Sequence, residues 1–381
     1  MGVDAPVRLL ISMAARRFRV LDGWRGVSAL FVALHHFSGQ GFLYRLAPVR
    51  GAWLFVDFFF VLSGFVIAHA YGGRLADWAD AKDFVLRRFA RLWPLHAAVL
   101  LGFIVLEAGK LVIPGGTPAF TGTRSVDAIA TNLLLIQSFG LHGALTWNDP
   151  SWSIGVEFYT YLVFAFACLV AKTPRPRVLL AIALTALGVV VLLTCSRWGM
   201  RETFGWGFFR CLYGFFLGVL TYRVWQWGWF SRASGTALEI AAAALALAFV
   251  SWAPAHRAFE YLAPVVFAFV VWSFSWEKGA LSRLMAARPV HALGRWSYSI
   301  YMVHVLVLAV LFSALTQFDK VLHSHWLVGN TIMLRTTNIS DVVAALYLAV
   351  VIALSALTYR FIELPGQRIF GASLAPRARP R

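Results

Sequence analysis

The apolar positions of this 381-residue chain gather into long runs broken by short polar segments. A membrane-spanning helix needs about 20 predominantly apolar residues. Candidate spans fall near 22–42, 52–71, 92–112, 152–171, 178–195, 205–227, 236–253, 259–276, 297–317 and 341–362. The run at 126–140 is shorter and is flanked by Arg124, Asp127, Asn132 and Gln137, so it is expected as a re-entrant or interfacial helix. The first run, LDGWRGVSALFVALHHF, carries Asp22, Arg25, His35 and His36 where a plain anchor would carry no charge. At about 100° per residue, His36 returns to within roughly 20° of Arg25 and Asp22 lies within about 60° of it, while His35 points elsewhere. Charged groups at membrane depth face a bundle interior and mark candidate functional sites, although interfacial anchoring and packing would also account for them here.

Composition agrees with a polytopic membrane protein: 60% of the residues are hydrophobic and 13% charged, against about half and a quarter in soluble domains. The formal net charge of +17 would point to nucleic acid in a soluble chain. Here placement matters more, and no nucleic-acid partner is expected. With ten spans and the N-terminus inside, 23 of the 34 lysines and arginines fall in inside segments and 9 in outside ones. That asymmetry predicts both termini in the cytosol of a multi-pass inner-membrane protein, and it argues against a span at 126–140, which would invert every later loop. The expected organisation is a cytosolic segment 1–20, one membrane domain 21–367 and a disordered basic tail 368–381. Arg16, Arg17 and Arg19 ahead of an apolar run resemble a signal peptide, but the run carries charges and lacks a cleavage site, so it is expected to be retained. Cys168, Cys195 and Cys211 show no ligand spacing, and no metal site is expected. No internal repeat of the transporter kind is evident.

Further along, VDFFFVLSGFVI places Asp57 near the outer end of the second run. FVLRRFARLWPLH carries Arg87, Arg88 and Arg91 at the cytosolic entrance of the third. Clustered guanidinium groups suit a multiply charged phosphate ligand, and they equally suit ordinary positive-inside anchoring. NDPSWSIGVEFYTYLVF puts Ser153 and Glu157 four apart on one face, at a depth where Glu157 is expected to pair with His36. In ALGRWSYSIYMVHVLVL, Ser297, Tyr301 and His304 form a polar stripe at i, i+4 and i+7, which lines a cavity or bonds to neighbouring helices. Near the C-terminus, Arg360 and Glu363 are expected as a structural ion pair.

As an ordered set, LDGWRG with Arg25-x10-His36, VDFFFVLSGFVI, RRFARLWP, SWSIGVE, GRWSYSIYMVH and YRFIELP resemble the acyltransferase family 3 membrane proteins, over residues 21–367. Trp24 stands where a smaller aliphatic residue is commoner, and no hydrolase-like domain follows the last span, so the acceptor is expected to meet the membrane core. The resemblance implies O-acylation of a cell-surface or exported glycan, most often with acetyl. It implies acyl-CoA as a donor substrate, with no tightly bound cofactor. Under that reading Arg88 and Arg91, with Arg87, hold the donor phosphates, and Ser297 and Tyr301 are further candidates for donor contact. Asp22 and Arg25 lie on the face leading to His36. His36 acts as general base or is transiently acylated, Glu157 orients it, and Ser153 contacts the developing oxyanion. Membrane lipid and a lipid-linked saccharide are the other expected partners. A transporter or flippase using the buried charges is the alternative.

Overall fold

The computed structural model describes residues 17–112, 118–228, 235–323, 325–329, 331–334 and 336–372. The described chain is almost wholly helical. Its main helices are α1 Arg19–His36, α2 Phe55–Tyr71, α3 Trp78–Gly109, the short α4 Asp127–Leu133, α5 Ser151–Val170, α6 Pro174–Thr194 and α7 Gly207–Trp227. They continue with α8 Thr236–Trp252, α9 Ala263–Phe274, the short α10 Ala280–Met285, α11 Arg288–Leu322 and α12 Thr337–Thr358. A π-helical turn, Tyr359–Glu363, joins α12 to α13, Leu364–Ala372.

A helix stands at each of the ten expected runs. Eight helical segments are long and apolar enough to cross a membrane by length and composition, among the described residues. The other two, α1 and α7, carry more polar groups: Arg19, Asp22 and Arg25 in one, Arg210 and Arg223 in the other. The expected helix at 126–140 is a seven-residue helix, α4, followed by turns. That loop is pinned from within: Asn132 Nδ2 donates to Thr146 Oγ1 at 2.8 Å and Gln137 Nε2 to the Ser151 carbonyl at 3.0 Å. The first helix begins at Arg19, and α13 carries regular structure to Ala372, past the expected start of a disordered tail at 368. Residues 1–16 and 373–381 lie outside the described residues.

Two long helices run farther than their apolar cores. α3 has 32 residues, starting where the Asp77 side chain accepts the Asp80 N–H, and passes through Pro94. This places Arg88 and Arg91 on the same rod as the apolar span. α11 has 35 residues and opens with Pro289 in its first turn, a position that needs no N–H partner.

Glycines decide which helices meet. Between α1 and α11, a Cβ on Gly26 would strike the backbone of Leu293 and Gly294, and one on Gly294 would strike the Asp22 carbonyl. Ten residues further along each helix, the His36 and His304 rings meet at 4.9 Å. Equal advances along both helices mean that α1 and α11 run parallel, in contact for about 15 Å. The second pair, α2 and α7, meets where Gly64 faces the Phe215 carbonyl and Gly218 faces the Val61 carbonyl. Small residues at these crossings admit backbone-to-backbone approach, the usual device where apolar burial alone cannot drive helix association.

Candidate active site

The α2–α7 contact brings Asp57 against Arg210. The guanidinium donates twice to the carboxylate, Nε to Oδ1 at 2.9 Å and Nη2 to Oδ2 at 2.8 Å, and both side chains are at most 1% exposed. Trp53 and Trp152 lie over the guanidinium, each with its ring centroid at 5.4 Å. A buried guanidinium needs such full satisfaction, because an unpaired charge at this depth costs several kcal/mol. Each group alone read as a charge in an apolar run; the pairing joins residues 153 positions apart and is a property of the fold.

Two cavities meet beside this pair. The first, about 180 Å³, is walled by α1, α2, α3, α5 and α11. It contains seven of the ten sequence-predicted residues: Arg25, Arg88, Arg91, Ser153, Glu157, Ser297 and Tyr301. The second, about 390 Å³, lies at the other end of α1 and contains His36 with His35, Asp149, Arg201 and Arg210. Val56 and Tyr301 line both. Tyr301 is held there by its hydroxyl, 2.8 Å from the Ser153 hydroxyl, which in turn donates to the Pro150 carbonyl at 3.1 Å. Arg25 and His36, eleven residues apart on one helix, are separated by about 16 Å of rise and so mark the two ends of the paired cavities.

The arginines of the first cavity differ in how far they are already matched. Arg25 donates to Asp22 at 3.3 Å. Arg91 donates to Glu363, which is fully buried and also accepts from Ser299 at 2.9 Å and Gln367 at 3.3 Å. Arg88 donates to the Tyr71 hydroxyl at 3.2 Å and stacks on Tyr71, while its Nε is buried without a hydrogen-bond partner among the described residues. Ser297 Oγ is unpartnered in the same sense. This cavity therefore presents unused donors on one arginine and on a serine, a combination suited to anionic oxygens.

In the second cavity, His36 Nδ1 lies 2.9 Å from the Val32 carbonyl and His35 Nδ1 lies 3.0 Å from that of Val49. A carbonyl only accepts, so Nδ1 carries the proton in each ring and Nε2 keeps a free lone pair. For His36 that is the form required of a general base. The carboxylate that shares its cavity is Asp149. The loop carrying it is set by the two residues before it, Trp147 in the left-handed region at φ 60° and Asn148, whose Nδ2 donates to the Met302 carbonyl at 3.1 Å. Burial raises the Asp149 carboxyl above its ordinary value, opposed by His36 and Arg124. Its surface stays accessible because it faces the cavity.

Several sequence expectations are corrected. Glu157 does not meet His36: it lines the other cavity and accepts a 2.5 Å hydrogen bond from Tyr161, whose hydroxyl also lies 2.9 Å from Ser63. Glu157 and His36 line different cavities, which share Val56 and Tyr301 in their walls. Asp22 lines neither cavity. It forms ion pairs with Arg17 at 3.0 Å and Arg25 at 3.3 Å, and His291 Nε2 approaches at 4.0 Å. Arg87 lies outside both walls. Glu363 pairs with Arg91 and not with Arg360, which stacks on Phe361. Asp149 was not selected from the sequence, although an Asn-Asp-Pro ahead of an apolar run sets a carboxylate at a helix start, within reach of neighbouring spans.

Comparison with known proteins identifies the family. A family model described as an acyltransferase domain matches residues 18–360. The acyltransferase MdmB of Streptomyces mycarofaciens is 27% identical over 93% of both chains. Protein 2 in the picA locus of Rhizobium radiobacter is 37% identical over 39% of this chain and 81% of its own length. The peptidoglycan O-acetyltransferase OatA of Listeria monocytogenes is 25% identical over 91% of this chain, which spans about half of that longer protein (55%). No solved structure matches. The sequence motifs, the helical membrane architecture and these relatives agree that the chain is an O-acyltransferase and belongs to the acyltransferase family 3 of membrane proteins.

Proposed function

We propose that this enzyme moves an acyl group, acetyl in the first instance, from cytosolic acyl-CoA to a hydroxyl of a cell-surface or exported glycan. The observation that carries the reading is the meeting of two chemically different cavities at Tyr301, one rich in arginine and the other holding a histidine base. The excess of basic residues on segments assigned to the inside supports a cytosolic mouth for the arginine cavity.

In this reading Arg88, with Arg91 and Arg25, holds the donor phosphates, and the thioester reaches Tyr301. His36 Nε2 takes the proton of the acceptor hydroxyl, and Asp149 stabilises the imidazolium that results. The alkoxide oxygen attacks the thioester carbonyl, and the Tyr301 and Ser153 hydroxyls donate to the oxyanion. As the tetrahedral intermediate collapses the C–S bond breaks, the ester forms, and the CoA thiolate recovers the proton from His36. Glu157 contributes on the donor side, through Tyr161.

The test is transfer by purified protein in lipid nanodiscs supplied with acetyl-CoA labelled in the acetyl group. Label on the glycan in equal amount to released CoA is expected. Label that remains on acetyl-CoA with every glycan offered contradicts the reading.

A further inference from the structure

The histidine cavity contains two arginines, which at first sight would attract an anionic acceptor. Their contacts say otherwise. Arg210 has Asp57 along two of its N–H groups, the Glu202 carbonyl at 3.3 Å on Nη1, and the Trp53 and Trp152 rings each at 5.4 Å. Arg201 donates from Nε at 2.9 Å and from Nη2 at 2.7 Å to Glu260, and from Nη2 to the Pro254 carbonyl at 2.7 Å. Each cation is therefore neutralised by a buried carboxylate from another part of the chain, Asp57 at 0% and Glu260 at 1% exposure.

The charge left over is Asp149, which makes no side-chain hydrogen bond or ion pair among the described residues while lining the cavity. Beside it stand the bare Nε2 atoms of His35 and His36, whose Nδ1–H groups are occupied by carbonyls. The surface offered to a ligand is thus rich in hydrogen-bond acceptors and carries the Asp149 carboxylate, whose neighbouring cation Arg124 is outside the cavity lining and paired with Glu107 at 2.6 Å. Hydroxyl groups donate to such a surface. A ligand carboxylate or phosphate meets Asp149 with each lining arginine already held by a carboxylate, and like-charge juxtaposition disfavours such a ligand. The volume, about 390 Å³, lies in the range of small-molecule sites.

We infer that the acceptor group entering this cavity is an uncharged, hydroxyl-rich ring, a neutral glycosyl residue or cyclic polyol, and that Asp149 excludes anionic acceptors. The inference rests on the proposed function in taking this cavity as the acceptor side, and it adds the charge class that the site selects.

The test compares methyl β-glucoside with methyl β-glucuronide, which share a ring and differ in one carboxylate. The full-length protein in nanodiscs is treated with diethyl pyrocarbonate, which modifies bare imidazole nitrogens, and modification of His35 and His36 is read by mass spectrometry. The glucoside is expected to protect at a concentration about tenfold or more below the glucuronide. Asp149→Asn is expected to narrow that gap, and Glu260→Gln, which releases Arg201, to improve protection by the glucuronide. Circular dichroism and gel filtration establish that each variant is folded. Equal or better protection of the wild-type protein by the glucuronide overturns the inference, as does protection by neither sugar. Acetyl transfer is measured in parallel: selective protection without transfer to any acceptor leaves the charge selectivity standing and overturns the proposed function instead.

Discussion

The hydroxyls of Ser153 and Tyr301 lie 2.8 Å apart where the arginine cavity meets the histidine cavity, although 148 residues separate them in the chain. Tyr301 belongs to both walls, as does Val56. If the pair supplies donors to the oxyanion, Tyr301→Phe lowers kcat by about 100-fold with little change in the KM for acyl-CoA, because the contact forms with charge that develops only in the transition state. Ser153→Ala gives a smaller loss, since the Tyr301 hydroxyl is then released from its partner. Steady-state kinetics on both variants check this, and an unchanged kcat in Tyr301→Phe removes the pair from the chemistry.

Arg88 and Arg91 look equivalent in sequence, three residues apart on one helical face, yet the fold gives them different duties. Arg88 has an Nε without a hydrogen-bond partner and forms no ion pair among the described residues, whereas Arg91 neutralises the buried Glu363. Arg88→Ala is therefore expected to raise the KM for acyl-CoA by about tenfold while melting stays near wild type. Arg91→Ala leaves a buried carboxylate unpaired and is expected to cost about 3 kcal/mol of stability. Thermal denaturation beside acyl-CoA kinetics separates the two; the reverse pattern contradicts the assignment.

How much of this was open to reading from the chain alone follows from what each signal depends on. The helical runs and the polar stripe of α11 depend on local periodicity and are present in the structure, whereas of the Asp22–Arg25–His36 face Asp22 lines neither cavity, Arg25 and His36 line different ones, and His35, which periodicity set apart, stands beside His36. Which charge pairs with which depends on helix rotation and on the glycine crossings, so the Arg210–Asp57 and Arg91–Glu363 pairs were hidden. Glu157 illustrates the limit most clearly. Its depth along α5 could be counted, but which side of Tyr301 it faces could not.

The Asp57–Arg210 pair carries a stability prediction. Asp57→Asn or Arg210→Met alone strands the remaining charge and is expected to cost about 3–5 kcal/mol, whereas a double replacement by apolar residues of similar volume recovers most of it. Thermal melting of the four proteins in matched nanodiscs measures the coupling. Additive losses would mean that the two groups do not interact energetically.

For Asp149 the sign of a pH effect follows from burial. Burial raises its carboxyl above the ordinary aspartate value, so its contribution to stability is fully present below that ordinary value and is lost as pH rises through the folded-state value. Asp149→Asn, which cannot ionise, is therefore expected to melt higher than wild type at neutral pH, with the difference vanishing in acid, while its kcat falls. Melting curves across pH check this, and a variant less stable at neutral pH contradicts it.

We propose His36 as the base, acting from the cavity it shares with Asp149 and not with Glu157 as its partner. The most direct measurement is single-turnover acetyl transfer by purified, folded His36→Ala, with acyl-CoA binding measured on the same sample. The predicted result is a fall of about 10²–10⁴ in the transfer rate with binding of acyl-CoA unchanged. Transfer at the wild-type rate in that variant would contradict the account.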